Sequence, residues 1–370
     1  MIGAVRQLCH DIADGVRQLA PSRFPYRRFA IAIALGIVGG YLFYRLRLPL
    51  PWMLGPMVFC TVAALTKLPV AAPPVIRPPM SVVIGVMLGS GFKPEVIWQL
   101  PNWLPTLLGL VAFMAIAGGA CVYYFRRFGG FDPVTAFFAG MPGGLVEMVT
   151  LGEEKGGDAR VIALIHSARV LLVVMTLPFL VQWMGGVSVV GNRASGISIV
   201  DTTPAAWMWI LVSGFLGVLV GRWLRLPAGQ LLGPMVVSAL VHLAGLTGTQ
   251  PPFELVNLAQ LVLGVTIGCR FVGTAPATIL RVLTLSLGST VILLTLTFGF
   301  AALVARLSVH GVIPLALAYS PGGLAEMSLI ALALQTEVAF VAAHHMVRIF
   351  LVMVCAGPVF EAARRLRARS

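Results

Sequence analysis

Few ionisable side chains interrupt the long apolar stretches of this sequence, and those that do come in matched sets. In the first half of the chain, Glu147 and Arg169 lie in successive apolar stretches, and His166 precedes the arginine by three positions. That spacing puts an imidazole and a guanidinium on one face of a helix. Together with the carboxylate, these groups could carry a proton, hold a cation or bind an anion.

The same set recurs in the second half of the chain, where Glu326, His345 and Arg348 each lie 179 positions after their counterparts. Each glutamate is about ten residues before a connecting loop and each arginine about eleven after it. At ~1.5 Å per helical residue, both groups would lie about 15 Å from that loop, near the middle of a ~30 Å hydrocarbon core. A charge at that depth indicates either a functional site or a structural ion pair between each glutamate and its arginine. The spacing leaves both open.

A Pro-Gly-Gly sequence stands just before each glutamate, inside an apolar stretch. These residues are Pro142, Gly143 and Gly144, and then Pro321, Gly322 and Gly323. Proline removes a backbone donor and clashes with the preceding turn, so we predict a broken or re-entrant helix at residues 141–144 (the first break) and 320–323 (the second break). Broken helices at corresponding positions of two halves indicate the binding site of a transporter. A proline kink that serves packing alone is the alternative.

The composition places these elements in a membrane. Of the 370 residues, 58% are hydrophobic and 11% are charged, and the mean hydropathy is +0.95. Soluble domains carry roughly a quarter charged residues, so the fold class predicted is an all-α, polytopic membrane protein. The net charge of +13 does not indicate a nucleic-acid partner, because most of the basic residues lie in the two tails or in short gaps between apolar runs. That pattern predicts cytoplasmic tails and an even number of crossings.

Internal similarity divides the chain into two halves. Leu54, Gly55, Pro56, Met57 and Val58 recur 178 positions later as Leu232, Gly233, Pro234, Met235 and Val236, and the breaks and their charged residues recur at 179. We therefore predict a duplication, in which tail 1–28 (a frayed tail or an interfacial amphipathic helix) precedes repeat 29–184, polar linker 185–203, repeat 204–360 and basic tail 361–370. Each repeat would contain five or six spans. Ten crossings imply inverted repeats and twelve imply parallel ones.

The doubled Leu-Gly-Pro-Met-Val element, the doubled Pro-Gly-Gly-Leu-x-Glu-Met element and the following His-x-x-Arg pair resemble the AbrB-type family of bacterial membrane proteins over about residues 29–360. Members of that family are often labelled transcriptional regulators or ammonia monooxygenases. The resemblance implies a polytopic inner-membrane protein with a duplicated domain. It also suggests distant similarity to bile-acid symporters and cation–proton antiporters, which favours inverted repeats. The family implies no substrate.

These observations predict an ion-coupled secondary transporter of a small anionic solute, with the site between the two breaks. A membrane-embedded sensor or regulator is the alternative. An enzyme is not expected, because an oxygenase needs clustered ligands and the chain has six histidines and no Glu-x-x-His pair. We expect no cofactor and no metal, and as partners the lipid bilayer and the transported solute or ion. A homodimer is left open.

Overall fold

A computed structural model describes residues 13–185 and 197–367, and all the regular secondary structure in these ranges is helical. The α-helices are α1 (Tyr26–Arg45), α2 (Pro51–Leu65), α3 (Arg77–Gly89), α4 (Leu104–Arg127), α5 (Pro133–Gly140), α6 (Leu145–Glu154), α7 (Ala159–Gly185), α8 (Pro204–Trp223), α9 (Gly229–Leu243), α10 (Phe253–Gly268), α11 (Pro276–Ala305), α12 (Val312–Tyr319), α13 (Leu324–Ala333) and α14 (Val338–Arg367). The predicted all-α class is confirmed. Residues 13–18 of the predicted tail are helical and residues 26–28 belong to α1, whereas residues 1–12 of the tail and residues 186–196 of the predicted polar linker lie outside the described residues.

Seven helices in the described ranges are long and apolar enough to cross a membrane, which confirms a polytopic membrane protein. Four shorter apolar helices of 10–17 residues accompany them. The number of crossings, ten or twelve, stays a prediction. The last helix extends to Arg367, so the basic segment after residue 360 begins as a continuation of α14.

Proline and capping side chains start several of these helices. Proline is the first residue of α2, α5, α8 and α11, where its missing N–H is not needed. The Asp132 carboxylate caps α5 by accepting hydrogen bonds from the N–H groups of Val134 (2.9 Å) and Thr135 (3.0 Å). Partial burial opposes ionisation of Asp132, but hydrogen bonds from the Thr135 hydroxyl and from these backbone N–H groups outweigh it and lower the pKa.

Contacts divide the chain into two compact units, and each unit combines segments from both predicted repeats. Unit 1 comprises Met1–Gln99, Gln182–Gly273 and Ser328–Ala339, and unit 2 comprises Leu100–Val181, Thr274–Met327 and Phe340–Ser370. All the ionisable residues singled out above belong to unit 2.

Unit 1 is built on very close approaches between helices. In α3, a methyl group at Gly85 would overlap the carbonyl oxygen of Leu231 in α9. In α10, a methyl group at Gly264 would overlap the carbonyl oxygen of Met53 in α2. Small residues let helix backbones approach in this way, and this packing replaces the hydrophobic drive that lipid removes. The same kind of contact therefore occurs twice. In one, a glycine of the first half (α3) meets a backbone carbonyl of the second half (α9), and in the other a glycine of the second half (α10) meets a backbone carbonyl of the first half (α2).

Unit 2 is built around α4 and α11, which pack against each other and support the short helices beside the breaks. Against α4, the Tyr319 hydroxyl donates to the carbonyl oxygen of Thr106 at 2.6 Å, and its ring stacks on Phe113 with centroids 5.6 Å apart. Tyr319 is the last residue of α12, so this contact fixes the helix end at the second break.

Candidate functional site

Both predicted helix interruptions are present. At the first break, α5 ends at Gly140 and α6 begins at Leu145, with Met141 (ψ 132°) and Gly144 (ψ 141°) in extended conformation. At the second, α12 ends at Tyr319 and α13 begins at Leu324, with Ser320 extended (ψ 136°). Met141 and Ser320 each precede a proline, whose ring disfavours the helical conformation of the residue before it. The local sequence thus explains where each helix stops.

The two breaks meet the same helix, α14. The Arg348 guanidinium donates to the carbonyl oxygen of Gly322 in the second break at 2.6 Å. One turn further along, Val352 packs against Gly143 in the first break. A helical turn rises about 5.4 Å, so the two breaks converge within unit 2.

The two arginines satisfy the carbonyl groups that each break leaves without intrahelical donors. Arg169 is 2% exposed and donates to the carbonyl oxygens of Met141 (3.1 Å) and Gly143 (3.5 Å). Arg348 is 4% exposed and donates to those of Ser320 and Gly322. Carbonyl groups at a helix C-terminus favour a cation, and at membrane depth they need a donor from the protein. Each guanidinium therefore bridges two carbonyls of unwound backbone.

The two histidines hold the helix ends that precede the breaks. His166 Nε2 lies 2.8 Å from the Phe138 carbonyl oxygen, and His345 Nε2 lies 2.9 Å from the Leu317 carbonyl oxygen. Because a carbonyl only accepts, Nε2 carries the hydrogen in both rings. His166 Nδ1 accepts from the Arg169 guanidinium at 2.9 Å, which fixes His166 as a neutral ring.

The two glutamates lie in the first turn of the second half-helix, where the positive end of the helix dipole favours an anion. Each carboxylate folds back over its own break, so that a methyl group at Gly144 would overlap Glu147, and one at Gly323 would overlap Glu326. Glu147 is half-buried and Glu326 is 7% exposed. The second and third residues of Pro-Gly-Gly thus serve different needs, and the third makes room for the carboxylate.

The structural ion pair that the sequence left open does not form. Within residues 13–185 and 197–367, no ion pair within 4.0 Å joins Glu147 to Arg169 or Glu326 to Arg348. The physical reason is that each guanidinium is directed at the break carbonyls, while each carboxylate is held at the start of the following half-helix. Depth counting placed the groups at one level but could not give their directions.

All twelve predicted site residues therefore lie in unit 2. Hydrogen bonds or packing link the histidines, arginines, glutamates and glycines among them into two matched clusters. Thr106 was not predicted, and its hydroxyl oxygen lies 2.9 Å from Nε2 of the buried His344. These residues are 238 positions apart, and no spacing rule brings them together. Thr297 and Ser320 were not predicted either, although aligning the two halves at the 179-residue offset would have marked both as polar substitutions.

Comparison with known proteins adds family relationships to this geometry. Residues 52–364 match the family described as transition state regulatory protein AbrB. The chain is 27% identical over 361 residues to "Uncharacterized protein YhjN" of Bacillus subtilis (strain 168), covering 90% of this chain and 92% of that protein. It is 25% identical over 340 residues to "Putative regulator AbrB" of Escherichia coli (strain K12), covering 90% and 95% respectively.

Proposed function

This chain belongs to the AbrB family, and from that premise and the geometry of the two breaks we propose that it is an ion-coupled secondary transporter of a small anionic solute. The observation that carries the proposal is the convergence on α14 of two helix breaks. Each break has a buried arginine and a carboxylate, and in the described part of the chain no ion pair joins the two. Unwound backbone at membrane depth is tolerated where it is buried in protein or lines a cavity, and transporters place their sites at such breaks.

The charges suggest how coupling would work. Each arginine directs its two terminal nitrogens at break carbonyls, so the positive charge stays fixed in the unit. The carboxylates of Glu147 and Glu326 are the groups whose charge can change, because each can take up a proton or a cation. When the carboxylates are neutralised, the two guanidinium charges remain, and an anion is then favoured at the site.

The proposal includes a bacterial inner-membrane location with both termini cytoplasmic, and a duplicated fold. The duplication is supported by hydrogen bonds that recur at an offset of 179: His166 to Phe138 and His345 to Leu317, and the two arginines to their breaks. The membrane location is supported by the seven long apolar helices of the described ranges. Basic tails support the orientation.

Metabolite profiling tests the transport function even though the solute is unidentified. A deletion strain and an overexpressing strain are compared with the parent, and we expect one small anion to change in opposite directions in the two strains. Uptake of that anion into proteoliposomes containing the purified protein, driven by a proton or sodium gradient, would then follow. Absence of any reciprocal change across the anions profiled would contradict the proposal.

A membrane-embedded regulator is the second candidate, favoured by the family description and by the name of the Escherichia coli relative. Such a protein would act through a partner, since it would have no transport cycle of its own. The two candidates separate when a variant that abolishes uptake is assayed by transcript profiling. If the protein is a regulator, a strain carrying a variant without uptake should keep the transcript levels of the wild type. If it is a transporter, the transcript levels of that strain should match those of the deletion strain.

A further inference from the structure

The two breaks are matched in backbone but differ in their polar side chains. At the second break, three buried polar atoms have no hydrogen-bond partner among the described residues: Ser320 Oγ, His345 Nδ1 and Arg348 Nε. All three side chains are at least nine-tenths buried, and the Arg348 guanidinium donates a hydrogen bond to the carbonyl oxygen of Ser320. Leaving donors and acceptors unpaired in a buried site is costly, which indicates that a ligand completes them.

The first break lacks this set within the described part of the chain. Arg169 Nε is likewise without a partner there, but His166 Nδ1 already accepts from the same guanidinium, and the position of Ser320 is occupied by Met141. The Met141 thioether packs against Gly118 of α4, with Sδ 2.7 Å from where a Cβ at position 118 would be. The first break is thus closed by protein atoms.

A pair of coordinated differences distinguishes the halves. At the offset of 179, Gly118 corresponds to Thr297 and Met141 corresponds to Ser320. The Thr297 and Ser320 hydroxyls are fully buried, and neither has a hydrogen-bond partner within residues 13–185 and 197–367. One large apolar side chain beside a glycine is therefore replaced by two side chains that each carry a hydroxyl.

We propose that the second break alone binds the solute, as an oxyanion that carries its own hydroxyl group. The first break, closed by protein atoms, does not contact the solute, and Glu147 beside it acts only in coupling. This assignment rests on the proposed transport function. The Arg348 Nε–H and the Ser320 hydroxyl donate to the oxyanion. His345 Nδ1 accepts the solute's hydroxyl hydrogen, because Nε2 of the same ring carries the hydrogen given to Leu317. Glu326, at the start of α13, repels the anion until it is neutralised.

Thermal unfolding of the purified protein in detergent tests the assignment without any transport step. Sodium salts of glycolate, acetate, phosphate and sulfate are added at the same ionic strength as a chloride reference. A ligand that binds only the folded state raises Tm. We expect Tm to rise more with the anion that carries a hydroxyl group: more with glycolate than with acetate, or more with phosphate than with sulfate. The rise is measured both in the wild type and in Glu326→Gln, where the carboxylate near the site is replaced by a neutral amide, and it is expected in at least one of the two. The two pairs distinguish a carboxylate from a tetrahedral oxyanion.

Exchanging side chains between the halves supplies matched variants. Thr297→Gly with Ser320→Met copies the first break into the second, and Gly118→Thr with Met141→Ser does the reverse. The anion-dependent rise in Tm should disappear in the Thr297→Gly, Ser320→Met variant and persist in the Gly118→Thr, Met141→Ser variant. If the Thr297→Gly, Ser320→Met variant does not fold, Ser320→Ala takes its place. No rise with any salt in either background, an equal rise with the hydroxyl-free anions, or a loss confined to the first-break variant would overturn the assignment. If the wild-type protein shows the anion-dependent rise in Tm but no gradient-driven uptake, the proposed transport function is contradicted while the assignment of the binding site stands.

Discussion

At the scale of single residues, Arg169 and Arg348 explain how unwound backbone persists inside an apolar protein. Each guanidinium is nearly fully buried and is directed at two carbonyl oxygens of its break. Arginine suits this role because it stays charged and its planar group presents several donors in fixed directions. The histidine one turn earlier on the same helix holds the preceding helix end, so the His-x-x-Arg pair acts as one clamp.

Removing either clamp should destabilise the protein. In Arg169→Gln or Arg348→Gln, a break carbonyl loses a charged donor, at a cost of about 1.5–3 kcal/mol. We expect a lower Tm in detergent for both variants, with Arg160→Gln as the control, since Arg160 is exposed on the same helix as Arg169. Unchanged Tm in both variants would contradict the clamp.

The double variant Glu147→Gln with Arg169→Gln checks that no ion pair is involved. A buried pair broken on one side costs ~3–5 kcal/mol, and removing the second partner recovers much of it. Because these two side chains do not pair in the described structure, the double variant should be no more stable than Arg169→Gln alone. Recovery of Tm would restore the ion-pair hypothesis.

At the scale of elements, the half-helices depend on glycines that leave room for carboxylates. Gly144→Ala and Gly323→Ala would place a methyl group on the Glu147 and Glu326 oxygens and displace each carboxylate from its helix start. We expect both variants to lose uptake. Gly299→Ala is the control, because apart from the adjacent residues and the nearby backbone of its own helix no atom of the described residues lies within 4 Å of a Cβ there, and alanine favours a helix by about 0.5–1 kcal/mol. Full uptake in both break variants would show that carboxylate position is irrelevant.

The element scale also separates what the sequence predicts from what it does not. The interruptions at Pro142 and Pro321 follow from local backbone chemistry, so they could be predicted. The partners of Arg169 and Arg348 lie 26 and 28 residues away along the chain, where spacing fixes depth but not direction. The Thr106–His344 contact depends on packing between distant helices and had no sequence signal.

At the scale of the whole molecule, the two compact units do not correspond to the two halves of the chain, as they would if each half folded separately. Each unit takes segments from both halves. The close contact of Gly85 with Leu231 and that of Gly264 with Met53 exchange the two halves within unit 1. The proposed duplication would produce this arrangement if its two copies interleave.

Topology reporters test the orientation of those copies. Fusions or cysteines at residues 10, 193 and 368, in a cysteine-free background, should report cytoplasm, periplasm and cytoplasm if the repeats are inverted. The basic tails favour the cytoplasmic ends, and an odd number of crossings per repeat moves the linker to the opposite side. Cytoplasmic labelling at residue 193 would establish parallel repeats instead.

The most direct measurement for a transporter is gradient-driven uptake by Glu147→Gln and Glu326→Gln in proteoliposomes, using the anion that metabolite profiling identifies. Glutamine keeps the size of the side chain and one hydrogen-bonding oxygen, and neither carboxylate pairs with its arginine, so we expect near-wild-type Tm together with loss of coupled uptake. Matched Tm values and equal reconstitution serve as the control. Wild-type uptake rates in both variants, with the gradient dependence intact, would contradict a coupling role for these carboxylates and with it the proposed mechanism.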